Sequence, residues 1–225
     1  DSNDIKSVLS VLKNKPLTQG KFINYFEDVV REYVGSKYAV AVSSCTAGLH
    51  IAYRSLNLSK KDRVLVPSIT FVSTANAALF SKNKVEFVDT NSKALIDLNK
   101  LEQKLRKNKN IKLIVPVHFA GWTCDMVGIY ELAKKYNCFV VEDSAHALGS
   151  SYENTKKVGS CFYSDMSVFS FHPVKTIATG EGGMVTTNNK EIYKSLLRLR
   201  SHGINKDDDK FIIEDQAYTN GDRNL

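Results

Sequence analysis

Short β-branched apolar runs recur along the chain at 38–44 (YAVAVSS), 63–67 (RVLVP), 84–89 (KVEFVD), 111–118 (IKLIVPVH), 138–143 (CFVVED), 166–171 (MSVFSF) and 184–187 (MVTT). Most show little alternation of apolar and polar positions, the mark of strands covered on both faces. Between most of them, apolar residues return at helical spacing. FINYFEDVVREYV puts Phe22, Phe26, Val29, Val30 and Tyr33 on one face. TAGLHIAYRSL, STANAALFS, DLNKLEQKLRK, MVGIYELAKKY and NKEIYKSLLRLRS are likewise predicted helices. The order predicts an α/β fold: a mainly parallel seven-stranded sheet with helices on both faces. The rhythm breaks once. The residues between VFSF and MVTT are rich in Pro and Gly and lack the helix that a parallel crossover uses. The last strand is therefore predicted antiparallel to its neighbour, with Lys175 in the connecting loop.

Bulk properties narrow the class. No apolar run approaches the roughly 20 residues of a membrane-spanning helix, and DSNDIKSVLS does not read as a secretory signal. Cys45, Cys124, Cys138 and Cys161 are widely spaced without a Cys-x-x-Cys pair. Reduced thiols in a cytoplasmic protein are expected, with no metal site or disulfide framework. The net charge of +7 comes from dispersed residues, as in LSKKDR, LRKNKNIK and LAKKYN. No basic run is interleaved with aromatics, which argues against a nucleic-acid partner. Residues 1–203 read as one large domain with an N-terminal segment, and 204–225 as a polar excursion.

Ligands of an open parallel sheet bind at the C-terminal ends of its strands. Glu142, Asp143 and His146 fall at such an end, as do Ser170, His172 and Lys175, and His118. SSCTAGLH follows another strand and opens a helix, where N–H groups and hydroxyls suit a phosphate. Taken singly, each has an ordinary explanation: Asp143 as a cap, Ser44 and Thr46 as N-cap residues. Together, a lysine, an acid and a phosphate cradle on one sheet edge are what pyridoxal 5'-phosphate needs. Lys175 would hold its aldehyde covalently, Asp143 would pair with the ring nitrogen, and the 44–47 turn would take the phosphate. GEGG at 180–183 fits neither Gly-x-x-x-x-Gly-Lys nor Gly-x-Gly-x-x-Gly, the nucleotide-binding alternatives.

These stretches resemble the large domain of the DegT/DnrJ/EryC1/StrS family, fold-type I aminotransferases that use pyridoxal phosphate on nucleotide-linked keto sugars. The likeness runs from LTQGKFINYFEDVVREYVGSKYAVAVSSCTAGLHIAY through PSITFVSTANAAL, PVHFAGWTCDM and VEDSAHALGSSYENTKKVGS to FSFHPVKTIATGEGGMVTT and LRSHGI. It implies that Lys175 is the cofactor-bound lysine, that Asp143 partners the ring nitrogen, and that His146 lies near the phenolic oxygen. It also implies that Phe71 stacks on the ring and that Thr46 and Ala47 amides and the Ser170 hydroxyl hold the phosphate. Leu17 and Thr18 would meet the sugar nucleotide. Cys45 departs from the Gly of many relatives.

HFAG, AHALGS, NTKKVG and FSFHPVK look most like the branch of pseudaminic acid biosynthesis that aminates C4 of a UDP-linked 4-keto-6-deoxy-N-acetylhexosamine, with glutamate as donor. A C3 aminotransferase, a dTDP-linked substrate and a truncated, non-catalytic member are the alternatives; Lys175 argues against the family's 3-dehydratases, which carry His there. The resemblance further implies a homodimer serving surface polysaccharide or glycan biosynthesis. Relatives continue into a small C-terminal domain. The chain is therefore expected to be a fragment, with Leu196, Leu197 and Leu199 poorly covered.

Overall fold

Every apolar run identified in the sequence forms a strand of one sheet. The structure, a computed structural model, describes residues 1–13, 20–153 and 156–204. In chain order these form α1 (Ser2–Lys13), α2 (Lys21–Val34), β1 (Tyr38–Val42), α3 (Cys45–Ser55), β2 (Arg63–Pro67), α4 (Val72–Phe80), β3 (Lys84–Val88) and α5 (Leu98–Lys107). There follow β4 (Ile111–Ile114), α6 (Met126–Tyr136), β5 (Phe139–Asp143), β6 (Ser151–Tyr152), β7 (Lys156–Lys157), β8 (Met166–Ser170), β9 (Gly183–Thr187) and α7 (Lys190–Arg200). Strand order in the sheet is β1-β9-β8-β5-β4-β2-β3. Leu17, Thr18 and the 205–225 excursion lie outside the described residues.

Because side chains alternate along a strand, the short apolar runs feed two cores at once. Leu65, Ile114, Val140, Phe169 and Met184 pack against α2, α5 and α6. Their neighbours Val64, Leu113, Val141, Val168 and Val185 pack against α3, α4 and α7. No helix among the described residues is long and apolar enough to cross a membrane.

As predicted, β9 is antiparallel, and it is wedged between β1 and β8. Its first residue, Gly183, therefore lies opposite the last residues of both neighbours, Val42 and Ser170. That places it against the β1–α3 turn. A Cβ at Gly183 would meet the Ser44 carbonyl carbon at 2.7 Å and the Cys45 nitrogen at 2.8 Å.

Three features differ from expectation. The buried face of α2 is turned: Glu27, Val30 and Val34 are buried, with Phe26 partly so. Phe22, Val29 and Tyr33, predicted to face inward, are exposed. Glu27 sets this orientation, since its carboxylate accepts the Ala41 N–H at 2.8 Å and pairs with Arg200 of α7. Leu196 is fully buried rather than poorly covered, because α7 packs on α3. The helix α1 and the β6–β7 hairpin were not predicted; Ile5, Val8, Leu9 and Leu12 of α1 are all exposed.

Gly183→Ala is expected to destabilise the protein by about 1–3 kcal/mol, as overpacking against backbone does. A urea titration would read this as a lower midpoint at unchanged slope.

Candidate active site

The six parallel strands end on one edge of the sheet, and the segments leaving them enclose a cavity of about 640 Å³. Ser44, Cys45 and Thr46 come from the β1–α3 turn, and Thr70 and Phe71 from the segment after β2. Asp143 ends β5 with His146 just beyond, while Ser170 ends β8 and Lys175 follows in the loop. Among the described residues, no group of three or more His, Cys, Asp or Glu could hold a metal ion.

Asp143 is 4% exposed. Its Oδ2 accepts the Thr74 hydroxyl at 2.6 Å and its Oδ1 the Ala145 N–H at 3.2 Å. Thr74 has one proton to give, so it must accept from Thr70 in the 2.7 Å contact between their hydroxyls. Among the described residues no cation lies within ion-pair distance of Asp143. It caps a turn there, not a helix. Burial, and then the Asp143 charge, push the Cys45 thiol well above its ordinary value, against the opposing pull of Lys175. Cys45 is thus a protonated thiol at neutral pH, and a small packing group in the turn.

At the start of α3, Ser44 Oγ accepts the Ala47 N–H at 3.1 Å as a helix N-cap. Thr46 Oγ1 lies 2.7 Å from Ser73 Oγ. Ser170, nearly buried, accepts the His172 N–H at 3.4 Å. Lys175 sits half-buried in a turn closed by its N–H to the His172 carbonyl at 2.9 Å. Phe71, 72% exposed, stands at the rim as the residue preceding α4. On the other side, Nδ1 of His146 accepts the Ala120 N–H at 3.3 Å.

Of the residues named from the sequence, Lys175, Asp143, His146, Phe71, Thr46 and Ser170 meet in this one cavity. Ala47 does not: it borders a neighbouring groove with Gly182 and Leu199, and its amide is engaged by Ser44. Thr74 was missed. A hydroxyl in the apolar stretch STANAALF was its one trace, and its role depends on α4 bringing it within reach of Asp143 at the end of β5.

Burial lowers the His146 pKa below its ordinary value, the Lys175 cation lowers it further, and Asp143 opposes both. The ring should titrate below 6.5 by NMR, and Lys175→Met should raise the midpoint. The neutral ring's contribution to stability is complete above the unfolded pKa and is lost as pH falls through the folded one.

With this geometry in place, comparison with known proteins is direct. The sequence profile of the DegT/DnrJ/EryC1/StrS aminotransferase family matches residues 1–221. The UDP-4-amino-4,6-dideoxy-N-acetyl-beta-L-altrosamine transaminase of Campylobacter jejuni (strain 81-176) is 47% identical over 207 residues, 92% of this chain and 54% of its own length. The structure of Helicobacter pylori PseC, an aminotransferase involved in the biosynthesis of pseudoaminic acid, superposes with a TM-score of 0.87 at 40% identity, covering 92% of this chain and 55% of that one. Bacillus subtilis NtdA, solved with bound cofactor PMP, gives a TM-score of 0.79 at 29% identity over 88% of this chain and 45% of its own. The chain thus spans about half the length of the curated relatives it matches. On the match over 1–221, and with the fold and pocket described, the chain belongs to the DegT/DnrJ/EryC1/StrS aminotransferase family.

Proposed function

We propose that this chain carries the cofactor half of a pyridoxal-phosphate-dependent aminotransferase that moves an amino group from glutamate to C4 of a UDP-linked 4-keto-6-deoxy-N-acetylhexosamine. The observation that carries the reading is Asp143: a buried carboxylate lining the same pocket as Lys175, with donors on both oxygens and, among the described residues, no cation within ion-pair distance. A buried anion without a counter-ion suits a pocket whose occupant brings a positive charge. The α3 N-terminus, with Thr46 on one side and Ser170 on the other, suits that occupant's phosphate. The residues present fit pyridoxal phosphate.

When bound, the cofactor supplies an aldehyde that carries the amine and a ring that takes up electrons. Lys175 Nζ would hold its aldehyde, and the same amine would carry a proton away from the donor's α-carbon and, in the second half, towards the sugar carbon. The Asp143 carboxylate, held in place by Thr74 and Ala145, would pair with the ring nitrogen and keep it protonated. Phe71, exposed in the chain alone, offers a flat face for a ring to cover. The overall exchange balances: glutamate becomes 2-oxoglutarate as the ketone at C4 becomes an amine. The UDP and C4 assignments draw on the similarity to the Campylobacter jejuni transaminase. The reading includes a cytoplasmic homodimer, which sedimentation of the cofactor-loaded protein tests.

Borohydride reduction with pyridoxal phosphate, followed by peptide mapping, should place the label on Lys175, and Lys175→Ala should abolish it; a label on another lysine overturns the assignment. Supplied with pyridoxal phosphate, glutamate and a panel of UDP- and dTDP-linked 4-keto sugars, the protein should yield a 4-amino product from the UDP-linked N-acetylhexosamine. Asp143→Asn keeps the shape but loses the charge, and should slow that turnover at least about a hundredfold, since each pKa unit of lost bias is worth ~1.4 kcal/mol. Near-normal turnover of this variant would leave Asp143 as a turn cap alone.

A further inference from the structure

Behind the pocket, on the face of β5 opposite Asp143, lies a second carboxylate that the proposed chemistry does not use. Glu142 is fully buried, and so is His118. Three donors satisfy the Glu142 carboxylate. His118 Nε2 lies 2.6 Å from Oε2, the Tyr152 hydroxyl donates to the same oxygen, and the Ser164 hydroxyl donates to Oε1. Burial and the Glu142 charge push the Tyr152 pKa upward, which keeps that hydroxyl a donor. His118 Nδ1 is occupied, since it accepts the Cys124 N–H at 3.1 Å. The ring proton therefore sits on Nε2, facing Glu142.

His118 thus grips both ends of the loop that it begins. Its ring holds Cys124, and its backbone N–H reaches the Asp143 carbonyl at 3.1 Å. Inside the loop, Ala120 adopts a left-handed conformation (φ 51°, ψ 23°) that a residue with a Cβ avoids unless its surroundings impose it. Two further bonds impose it. The Gly121 N–H returns to the His118 carbonyl at 3.1 Å, and the Gly121 carbonyl accepts the Ser150 hydroxyl at 2.8 Å. Held this way, the Ala120 N–H points at Nδ1 of His146, which lines the cavity.

We propose that Glu142 and His118 are positioning residues for His146. They fix the 118–124 loop so that the Ala120 N–H holds His146 as its Nε2–H tautomer, and the ring offers the pocket a hydrogen-bond donor. An occupied Nδ1 cannot carry a proton, so Nε2 must. Burial and the nearby Lys175 cation act in the same direction by opposing a second proton on the ring. The acceptor for this donor, an oxygen of the bound cofactor, rests on the proposed function; the tautomer does not, because every group that sets it belongs to this chain.

The test is long-range ¹H–¹⁵N correlation of the histidine rings in cofactor-free, ¹⁵N-histidine-labelled chain. His146 should show an unprotonated Nδ1 and a protonated Nε2 as a single pattern. Glu142→Gln and His118→Asn should replace that pattern by an exchange-averaged mixture of tautomers while circular dichroism shows the fold retained. Should both variants unfold, Ser150→Ala, which frees only the Gly121 carbonyl, is expected to give the same loss. A proton on Nδ1 of His146 in the unmodified chain overturns the proposal. So does an unaltered single tautomer in a folded Glu142→Gln, His118→Asn or Ser150→Ala variant. Neither outcome depends on whether pyridoxal phosphate binds.

Discussion

A charge withdrawn from water has to be met by donors or by an opposite charge, and the end of β5 withdraws two carboxylates side by side. Period-two alternation sends them to opposite faces of the sheet. Glu142 goes into the core under the β6–β7 hairpin and is met there in full, by an imidazole and two hydroxyls. Asp143 goes towards α4 and is met there by two donors, the Thr74 hydroxyl and the Ala145 N–H. Its carboxylate also lines the cavity. The adjoining groups follow from this. Thr70 and Thr74 run their hydroxyls in one direction to stabilise it, and burial, with the Asp143 charge second, keeps the Cys45 thiol protonated.

The position of β9 completes the site from the other side. Had the last strand run parallel, its crossover would have needed a helix, and the loop carrying Lys175 would have had no place on this edge. Running antiparallel, β9 starts where its neighbours end. Gly183 gives the β1–α3 turn room to close over it, so the α3 N-terminus and Lys175 come to face one cavity. A single glycine without a Cβ thereby sets the spacing between two halves of the site.

Much of this was legible in the residues, for local reasons. Strands buried on both faces announce themselves by apolar continuity, and the missing helix between VFSF and MVTT gave away the direction of β9. Lys175, Asp143 and His146 could be grouped because strand ends in a parallel sheet share an edge. Legibility failed where partners are distant. The face of α2 was misjudged because Glu27, a charged residue, is held inward by Ala41 and Arg200. Thr74 looked like an ordinary helix residue until its hydroxyl was seen to reach Asp143. Ala47 was grouped with the phosphate turn, and its amide serves the Ser44 cap there. The loop after His118 carries no spacing signal at all, since its shape comes from a buried network gathered from four separate segments.

The wedge of β9 also fixes an order of events in time. In the sheet β1 is an edge strand paired with β9 alone, so Val40 must wait for Val185 before its ladder can form. Closing a loop that long costs entropy that local helices and the β2–β5 pairs do not incur. The β1–α3 turn can therefore be fixed against the rest of the sheet only after nearly all of the intervening chain has been made. During synthesis, the Asp143 side of the pocket is the earlier assembly, and the start of α3 is fixed last, by the arrival of β9.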